Sequence, residues 1–243
     1  MIPWRAVRIL CSILLLAPLV HVVYIISTAT LATLDASPET WNKEIAAYVE
    51  ADASVQLPEN PIVVTGGQRA KLWFGLEDVL APHPVLMRGL GDAIIEDISY
   101  HYERLVGFYR PHAVVLLLSQ SEFFIRDSKS PEDLLAAVQQ LVALDENHDI
   151  THCFYIFAPI KSPARPQDHG TIEAASRLLV AWAEDLERVK VLEVNPLLAG
   201  PSGTPRARYF RSDGMNLNEH GYLRLAVMLQ ERLERDREHA EQG

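Results

Sequence analysis

Residues that could bind a ligand or react follow the apolar runs of this sequence, where buried strands would end. Most are glycines, or carry amides and carboxylates, and such residues position ligands through backbone or side-chain hydrogen bonds. Ser119, Ser121 and His220 add hydroxyls and an imidazole, the groups that nucleophilic catalysis combines. In chain order the candidates are Gly66, Gly67, Gln68, Gly89, Gly91, Asp92, the segments 119–122 and 159–165, Asp213, Asn216 and His220.

The elements that position these residues are predicted from periodicity. Five short apolar runs, rich in β-branched residues, predict strands buried on both faces; they cover 61–65, 84–88, 112–119, 153–158 and 189–194. Helical spacing between them predicts helices over about 92–109, 131–145, 170–187 and 219–237. Alternating strands and helices form right-handed βαβ units. We therefore expect a three-layer α/β/α sandwich with a five-stranded parallel sheet, whose ligand site lies beyond the carboxyl ends of the strands.

The strand interiors supply the predicted core. Residues of four of the five runs are expected to be buried: Val63, Val64, Val115, Leu116, Leu117, Phe154, Ile156 and Val191.

Three segments resemble sequence blocks of the SGNH, or GDSL-type, hydrolases. VVTGGQRAKLW is similar to the opening block, the stretch from MRGLGD to SQSEFF to the second and third, and FRSDGMNLNEHGYLRLAVML to the last. The similarity covers about 61–233 in the same order and spacing. It implies an SGNH hydrolase-like, flavodoxin-like fold. It also implies ester chemistry by a Ser nucleophile, a His base, an Asp three residues before that His, and Gly and Asn donors for the oxyanion.

The resemblance assigns two positions of the catalytic triad to side chains that cannot carry out its chemistry. The nucleophile position is Gln68, and an amide is not a competent nucleophile. The base position is Asn216, which cannot accept a proton near neutral pH. Of the triad, Asp213 remains. These replacements predict a degenerate family member, a pseudoenzyme.

The oxyanion donors are changed as well. The family's Gly falls on Asp92, with Gly91 as the alternative if the turn shifts by one residue, and its Asn falls on Ser121. A carboxylate at the first position would oppose the negative charge that the donor must hold. His220 is expected on the surface of the last helix. The nine histidines show no paired-ligand spacing, so we expect no metal and no cofactor.

Two functions from different classes remain open. In the first, the chain is a binding or assembly module, with a glycan or an envelope protein as partner. The family-equivalent cleft then offers Gln68, Asp92, Ser121, Glu122, Asp213 and Asn216 to a ligand, or it has filled in through a bond between Gln68 and Asn216. In the second, an esterase or acyltransferase acts on an envelope glycan or other ester through relocated groups such as Ser119 or Ser121.

The N-terminus predicts a membrane anchor. No charged residue interrupts the run from Ile9 to Ile26, which is long enough to span a bilayer, and Arg5 and Arg8 precede it. The positive-inside rule then sends the remaining chain out of the cytoplasm, to the periplasmic side in a bacterium. The alternative is a signal peptide cleaved near Ala32, although signal peptides have shorter apolar regions. A buried core helix fits less well, since the run has no polar face.

Domain limits and charge complete the expectations. We predict a stub and anchor over 1–30, a linker over 31–58 with a short helix capped by Ser37 or Thr40, an SGNH hydrolase-like domain over 59–238 and a tail over 239–243. The formal net charge is −10, and the basic residues are interleaved with acids. A surface that follows phosphates needs clustered Lys and Arg, so no nucleic acid is expected as a partner.

Overall fold

All five predicted strands form one parallel sheet. The computed structural model of the 243-residue chain describes residues 14, 16–18, 20–23, 37–124, 127–146 and 151–242. The strands are β1 (Ile62–Gly66), β2 (Val85–Gly89), β3 (Ala113–Leu117), β4 (Cys153–Phe157) and β5 (Val189–Leu192). They pair in the order β2-β1-β3-β4-β5, the flavodoxin-like order. The carboxyl ends of β1, β2 and β3 are level, because Gly66 pairs with both Gly89 and Leu117.

Helices follow the strands along the chain. The α-helices are α1 (Asn42–Asp52), α2 (Gln68–Lys71), α3 (Leu76–Val79), α4 (Ile95–Tyr100), α5 (Tyr102–Leu105), α6 (Pro131–Glu146), α7 (His169–Ala183), α8 (Asn195–Leu198) and α9 (Glu219–Gln242). Short 3₁₀ turns lie at Pro38–Trp41, Gly107–Tyr109, Gln120–Glu122, Pro166–Asp168 and Ala207–Tyr209. The predicted tail over 239–243 is the end of α9 as far as Gln242.

The sheet separates two apolar layers, as an α/β/α sandwich requires. Side chains alternate between the faces of each strand. Val63, Val114 and Phe154 face the layer formed by α1, α4, α6 and α7. Ile62 and Val64 face the layer formed by α2, α3, α8 and α9. The three-layer prediction is therefore confirmed.

Two details differ from the sequence prediction. The helix expected over 92–109 is divided into α4, α5 and a 3₁₀ turn, and the division falls at His101, whose backbone departs from helical angles (φ −97°, ψ 11°). Its Nε2 lies 2.8 Å from the carbonyl oxygen of Pro38, so this residue serves a tertiary contact. Val191 is half-buried, because β5 is an edge strand, while the other residues predicted for the core are buried.

The segment predicted as a linker contains a helix that packs on the sheet domain. Trp41 and Ile45 are buried in the same core as β1. The Tyr48 hydroxyl donates to the carbonyl oxygen of Gly89 at 2.6 Å. A guanidinium nitrogen of Arg88 lies 2.6 Å from an Asp52 carboxylate oxygen, and both side chains are largely buried. From residue 38 onward this segment therefore contributes to the core. Ser37 makes no capping bond, and α1 begins at Asn42.

A domain that begins at Ser37 should be clearly more stable than one that begins at Pro58. The shorter chain loses the burial of Trp41 and Ile45, which contributes roughly 1.5–3 kcal/mol for each side chain, and it leaves Arg88 without Asp52. We expect the free energy of unfolding to fall by about 4 kcal/mol or more, measured by urea denaturation followed by circular dichroism. Equal urea midpoints for the two chains would show that α1 is dispensable.

The predicted span from Ile9 to Ile26 lies mostly outside the described residues. Within the described part of the chain, no helix combines the length and the apolar character needed to cross a bilayer.

Candidate functional site

The candidate site is built where β1 ends. Gly66 has φ +139°, and a Cβ atom there would lie 2.1 Å from the carbonyl oxygen of Leu117 on β3. Both the positive φ and the close approach require glycine at this position. The chain then turns through Gly67 and starts α2 at Gln68, so this side chain stands at the carboxyl edge of the sheet.

Gly67 brings three strand ends together. A Cβ atom on Gly67 would lie 2.6 Å from the carbonyl oxygen of Ala93 and 2.6 Å from Cβ of Ser119. Ala93 follows β2 and Ser119 follows β3. The segments with the first three family-like blocks therefore meet at one place. The contact is close because residue 67 has no side chain.

Asp213 and Asn216 are bonded to each other in the loop before α9. One Asp213 carboxylate oxygen accepts the backbone N–H groups of Met215 at 2.8 Å and Asn216 at 2.9 Å. The other accepts the Asn216 side-chain amide at 2.8 Å. Desolvation acts to raise the pKa of Asp213, but these three donors outweigh it and hold the pKa below its usual value. Asn216 thus makes the bond that an imidazole N–H makes to the Asp of a catalytic triad.

The alternative in which Gln68 and Asn216 bond each other is not what the structure shows. The amide nitrogen of Asn216 is used by Asp213. Among the described residues, no hydrogen bond joins the Asn216 and Gln68 side chains.

A buried arginine lies next to the nucleophile position. Arg69 is 2% exposed, and its guanidinium donates to three oxygens from separate loops. These are the carbonyl oxygen of Ile160 at 3.2 Å, the side-chain oxygen of Gln120 at 2.8 Å and the carbonyl oxygen of Met215 at 2.8 Å. The Met215 contact brings Gln68 and Asn216, the chain neighbours of Arg69 and Met215, to the same end of the sheet.

Burial of Arg69 disfavours its charged form. Burial lowers the pKa of the guanidinium to about 10. The side-chain nitrogen Nε has no partner among the described residues. The contacts extend to the loop after β4, because the Gln120 amide donates to the Ser162 hydroxyl at 2.8 Å. This Arg69–Gln120–Ser162 network connects the segments that follow β1, β3 and β4.

The two candidate oxyanion positions are differently placed. Asp92 is exposed, and Gly91 is buried. The backbone N–H of Gly91 donates to a carboxylate oxygen of Glu44 on α1 at 3.2 Å. The same Glu44 oxygen lies 2.7 Å from Lys71 Nζ. If Gly91 were the oxyanion donor, its N–H would thus already be hydrogen-bonded to a carboxylate.

Ser121, at the position of the family's Asn donor, is buried in a polar turn. Its backbone N–H donates to the Ser119 hydroxyl oxygen at 3.1 Å. The next residue, Glu122, is 1% exposed and accepts the Ile95 N–H at 2.9 Å. Burial raises the pKa of Glu122 to about 8, although Lys129 Nζ, 3.0 Å away, opposes the shift. These groups are committed to holding the loop after β3 on α4.

Five surface cavities in the described part of the chain have volumes of about 440–790 Å³. None of these five is lined by Gln68, Asp92, Ser121, Asp213 or Asn216. His220 is exposed, as expected, and lines one of them on α9. These five cavities therefore do not coincide with the place that the resemblance assigns to the active site.

Sequence reasoning missed Arg69 and Glu44, which bond the loops around the candidate site. Glu44 lies in the segment that was predicted to be a linker, whereas Gln120 lies in the candidate segment 119–122. The sequence did contain a signal for Arg69, because this residue directly follows Gln68, which was predicted to lie at the carboxyl edge of the sheet. The sequence offered no signal for Glu44, because its contact with Gly91 spans 47 residues.

Comparisons with known proteins identify the fold. No family model matches this sequence, and no curated protein matches it either. Among solved structures, a GDSL-like lipase from Bacteroides thetaiotaomicron is similar, with a TM-score of 0.64, 14% identity, and coverage of 79% of this chain and 98% of its own. A lipase/acylhydrolase from Enterococcus faecalis has a TM-score of 0.57, 12% identity, and coverage of 71% and 95%.

A third similar structure is a catalytic mutant of an acetylxylan esterase from Geobacillus stearothermophilus. Its TM-score is 0.56, with 12% identity and coverage of 72% of this chain and 94% of its own. At these identities the likeness concerns the fold. The order of the strands, the level ends of β1 to β3 and these neighbours lead to one conclusion: this chain has the fold of the SGNH, or GDSL-type, hydrolases.

Proposed function

We propose that this protein is a catalytically inactive SGNH-fold module that binds or assembles other components of the cell envelope. The observation that carries the proposal is the bond from the Asn216 amide to Asp213, since the resemblance assigns the proton acceptor to position 216 and an amide cannot take that role. A hydroxyl attacks an ester when a base removes its proton, and here the nucleophile position is an amide as well.

The hydrogen bonds at the site favour assembly over turnover. Arg69, next to the nucleophile position, donates to Met215, Gln120 and Ile160 and so holds the surrounding loops together. The carboxylate of Glu44 accepts the hydrogen bond of the Gly91 N–H and brings a negative charge to it. A ligand such as a glycan or a peptide would therefore contact groups that solvent reaches, notably the exposed carboxylates of Asp92 and Asp213 and the half-buried amide of Gln68. The net charge of −10 supports a partner other than nucleic acid.

We expect the purified protein to turn over short-chain aryl esters no faster than a denatured control, and a fluorophosphonate probe to leave it unlabelled. Loss of the nucleophile or base of a Ser-hydrolase costs on the order of a million-fold in turnover. An active GDSL-type lipase serves as the positive control. Labelling of the unmodified protein would favour the alternative, an esterase or acyltransferase with relocated chemistry. Mapping would then start at Ser119 and Ser121.

The location of the module is a second part of the proposal. The uncharged run from Ile9 to Ile26, with Arg5 and Arg8 before it, supports a single-pass anchor with the domain on the periplasmic side of a bacterial membrane. We expect the protein to stay in membranes after alkaline carbonate washing, and a C-terminal reporter to be active only outside the cytoplasm. Release of a soluble form that begins near Thr33 would support a cleaved signal peptide instead.

A further inference from the structure

Helix α9 has an apolar ridge that faces solvent, although the helix also contributes to the core. Leu225 and Leu229 are fully buried under the sheet. Leu223 and Val227, one turn apart, are 53% and 42% exposed. Such a ridge on a helix that already has a packed face is typical of a second contact surface.

A groove runs beside this ridge. It has a volume of about 760 Å³, and its walls include Leu197 on α8 and Met228 on α9 as well as the ridge itself. Ridges of one helix pack into grooves beside another. The surface thus holds an apolar projection beside a depression that combines apolar walls with the charged side chains of Arg224 and Glu231.

Charges on the same face divide α9 into two halves. Near its beginning, Arg224 and the neighbouring Arg208 lie over the Tyr209 ring at 4.5 and 4.8 Å from its centroid. Along the same stripe toward its end, the exposed acids Glu231 and Glu234 continue the i, i+4, i+7 spacing that starts at Val227. The stripe is therefore basic and apolar first and acidic afterwards.

We propose that α9 packs antiparallel against α9 of a second copy of this chain, across a twofold axis close to Val227. This arrangement places Arg224 of each copy opposite Glu231 of the other, and Leu223 beside the groove at Met228. A parallel pair would place the acidic halves together. A twofold interface must be self-complementary, and the charge order of this one helix meets that requirement for a second copy.

Disulfide trapping tests the position of the axis in membranes that contain the full chain. With Val227→Cys, mild oxidation should give a covalent dimer, because the two copies of residue 227 face each other. The matched control is Val49→Cys, a helical valine that is 54% exposed on α1. The unsubstituted chain controls for Cys11 and Cys153. Failure of Val227→Cys to cross-link, or equal cross-linking of both variants, would overturn the proposal.

Charge reversal tests the pairing itself. In sedimentation of the detergent-purified full chain, Arg224→Glu and Glu231→Arg should each raise the dimer dissociation constant about tenfold or more, since each opposes like charges. A chain that carries both substitutions should associate again, because opposite charges then face each other across the axis. Circular dichroism checks that each variant is folded, because Arg224 also contacts Tyr209. A monomeric wild-type chain, or a double variant as weak as the singles, would refute the proposed dimer.

Discussion

A chain that carries Gln68→Ser together with Asn216→His should gain measurable hydrolysis of short-chain aryl esters, whereas either substitution alone should leave it inert. The hydroxyl and the imidazole act as a unit, so their effects are not additive. Asp213 is already placed for this purpose, since it accepts the Asn216 amide at 2.8 Å in the bond that the new imidazole would make.

The rate of the restored pair should be limited by the oxyanion positions. A missing oxyanion donor costs about a hundred- to a thousand-fold in turnover. Asp92→Gly and Ser121→Asn supply the donors that the family uses. Glu44→Ala removes the carboxylate from the Gly91 N–H. If Gly91 is the donor, we expect Glu44→Ala to give the larger gain; if Asp92 is the donor position, Asp92→Gly should.

The control for this series is Asp213→Asn in the restored chain, which should lower turnover about 10⁴-fold by favouring the wrong imidazole tautomer. Initial rates with an aryl acetate and labelling by a fluorophosphonate give two independent measurements. Activity that does not depend on Asp213 would contradict the proposed correspondence between this chain and the triad.

Replacement of Arg69 by Ala should lower the free energy of unfolding by about 2–4 kcal/mol. Hydrogen bonds from charged donors contribute about 1.5–3 kcal/mol each, and Arg69 makes three with loops from different parts of the chain. Part of this contribution is offset, because burial opposes the charge and lowers the pKa to about 10. The bonds outweigh this cost because the oxygens that accept them are wholly buried at Ile160 and partly buried at Gln120 and Met215.

Urea denaturation measures this loss. Arg177→Ala is the control, since Arg177 is exposed on α7 and such surface changes stay within about 0.5 kcal/mol. Arg69→Lys should remain destabilised, because an ammonium cannot reach the three oxygens with the geometry of a guanidinium. If Arg69→Ala were as stable as the wild type, the network would not be what holds the loops after β1, β3 and β4 together.

Much of the sheet could be predicted because its signal is local. Strands buried on both faces read as continuous apolar runs, and all five runs became parallel strands with ends shifted by a few residues at most. The packing of α1 could not be predicted from its own sequence. Ile45 on α1, and Trp41 in the 3₁₀ turn just before it, became core positions only through contact with the sheet.

The site was predictable in position but not in its contents. Gln68 follows β1, and the loop of Asp213 and Asn216 reaches its neighbour Arg69 through Met215, because fold topology fixes which loops meet. The partners of those residues depend on side chains that reach across the molecule, as Arg69 does to Met215 and Glu44 does to Gly91. Such contacts have no local pattern in the sequence.

The bond between Asn216 and Asp213 has a consequence for how this protein could change by natural mutation. A single base change turns an asparagine codon into a histidine codon, and histidine at position 216 could keep the bond to Asp213. No single base change turns a glutamine codon into a serine codon. Histidine could therefore appear at position 216 and vanish again without selection acting on it, while position 68 keeps ester chemistry out of reach.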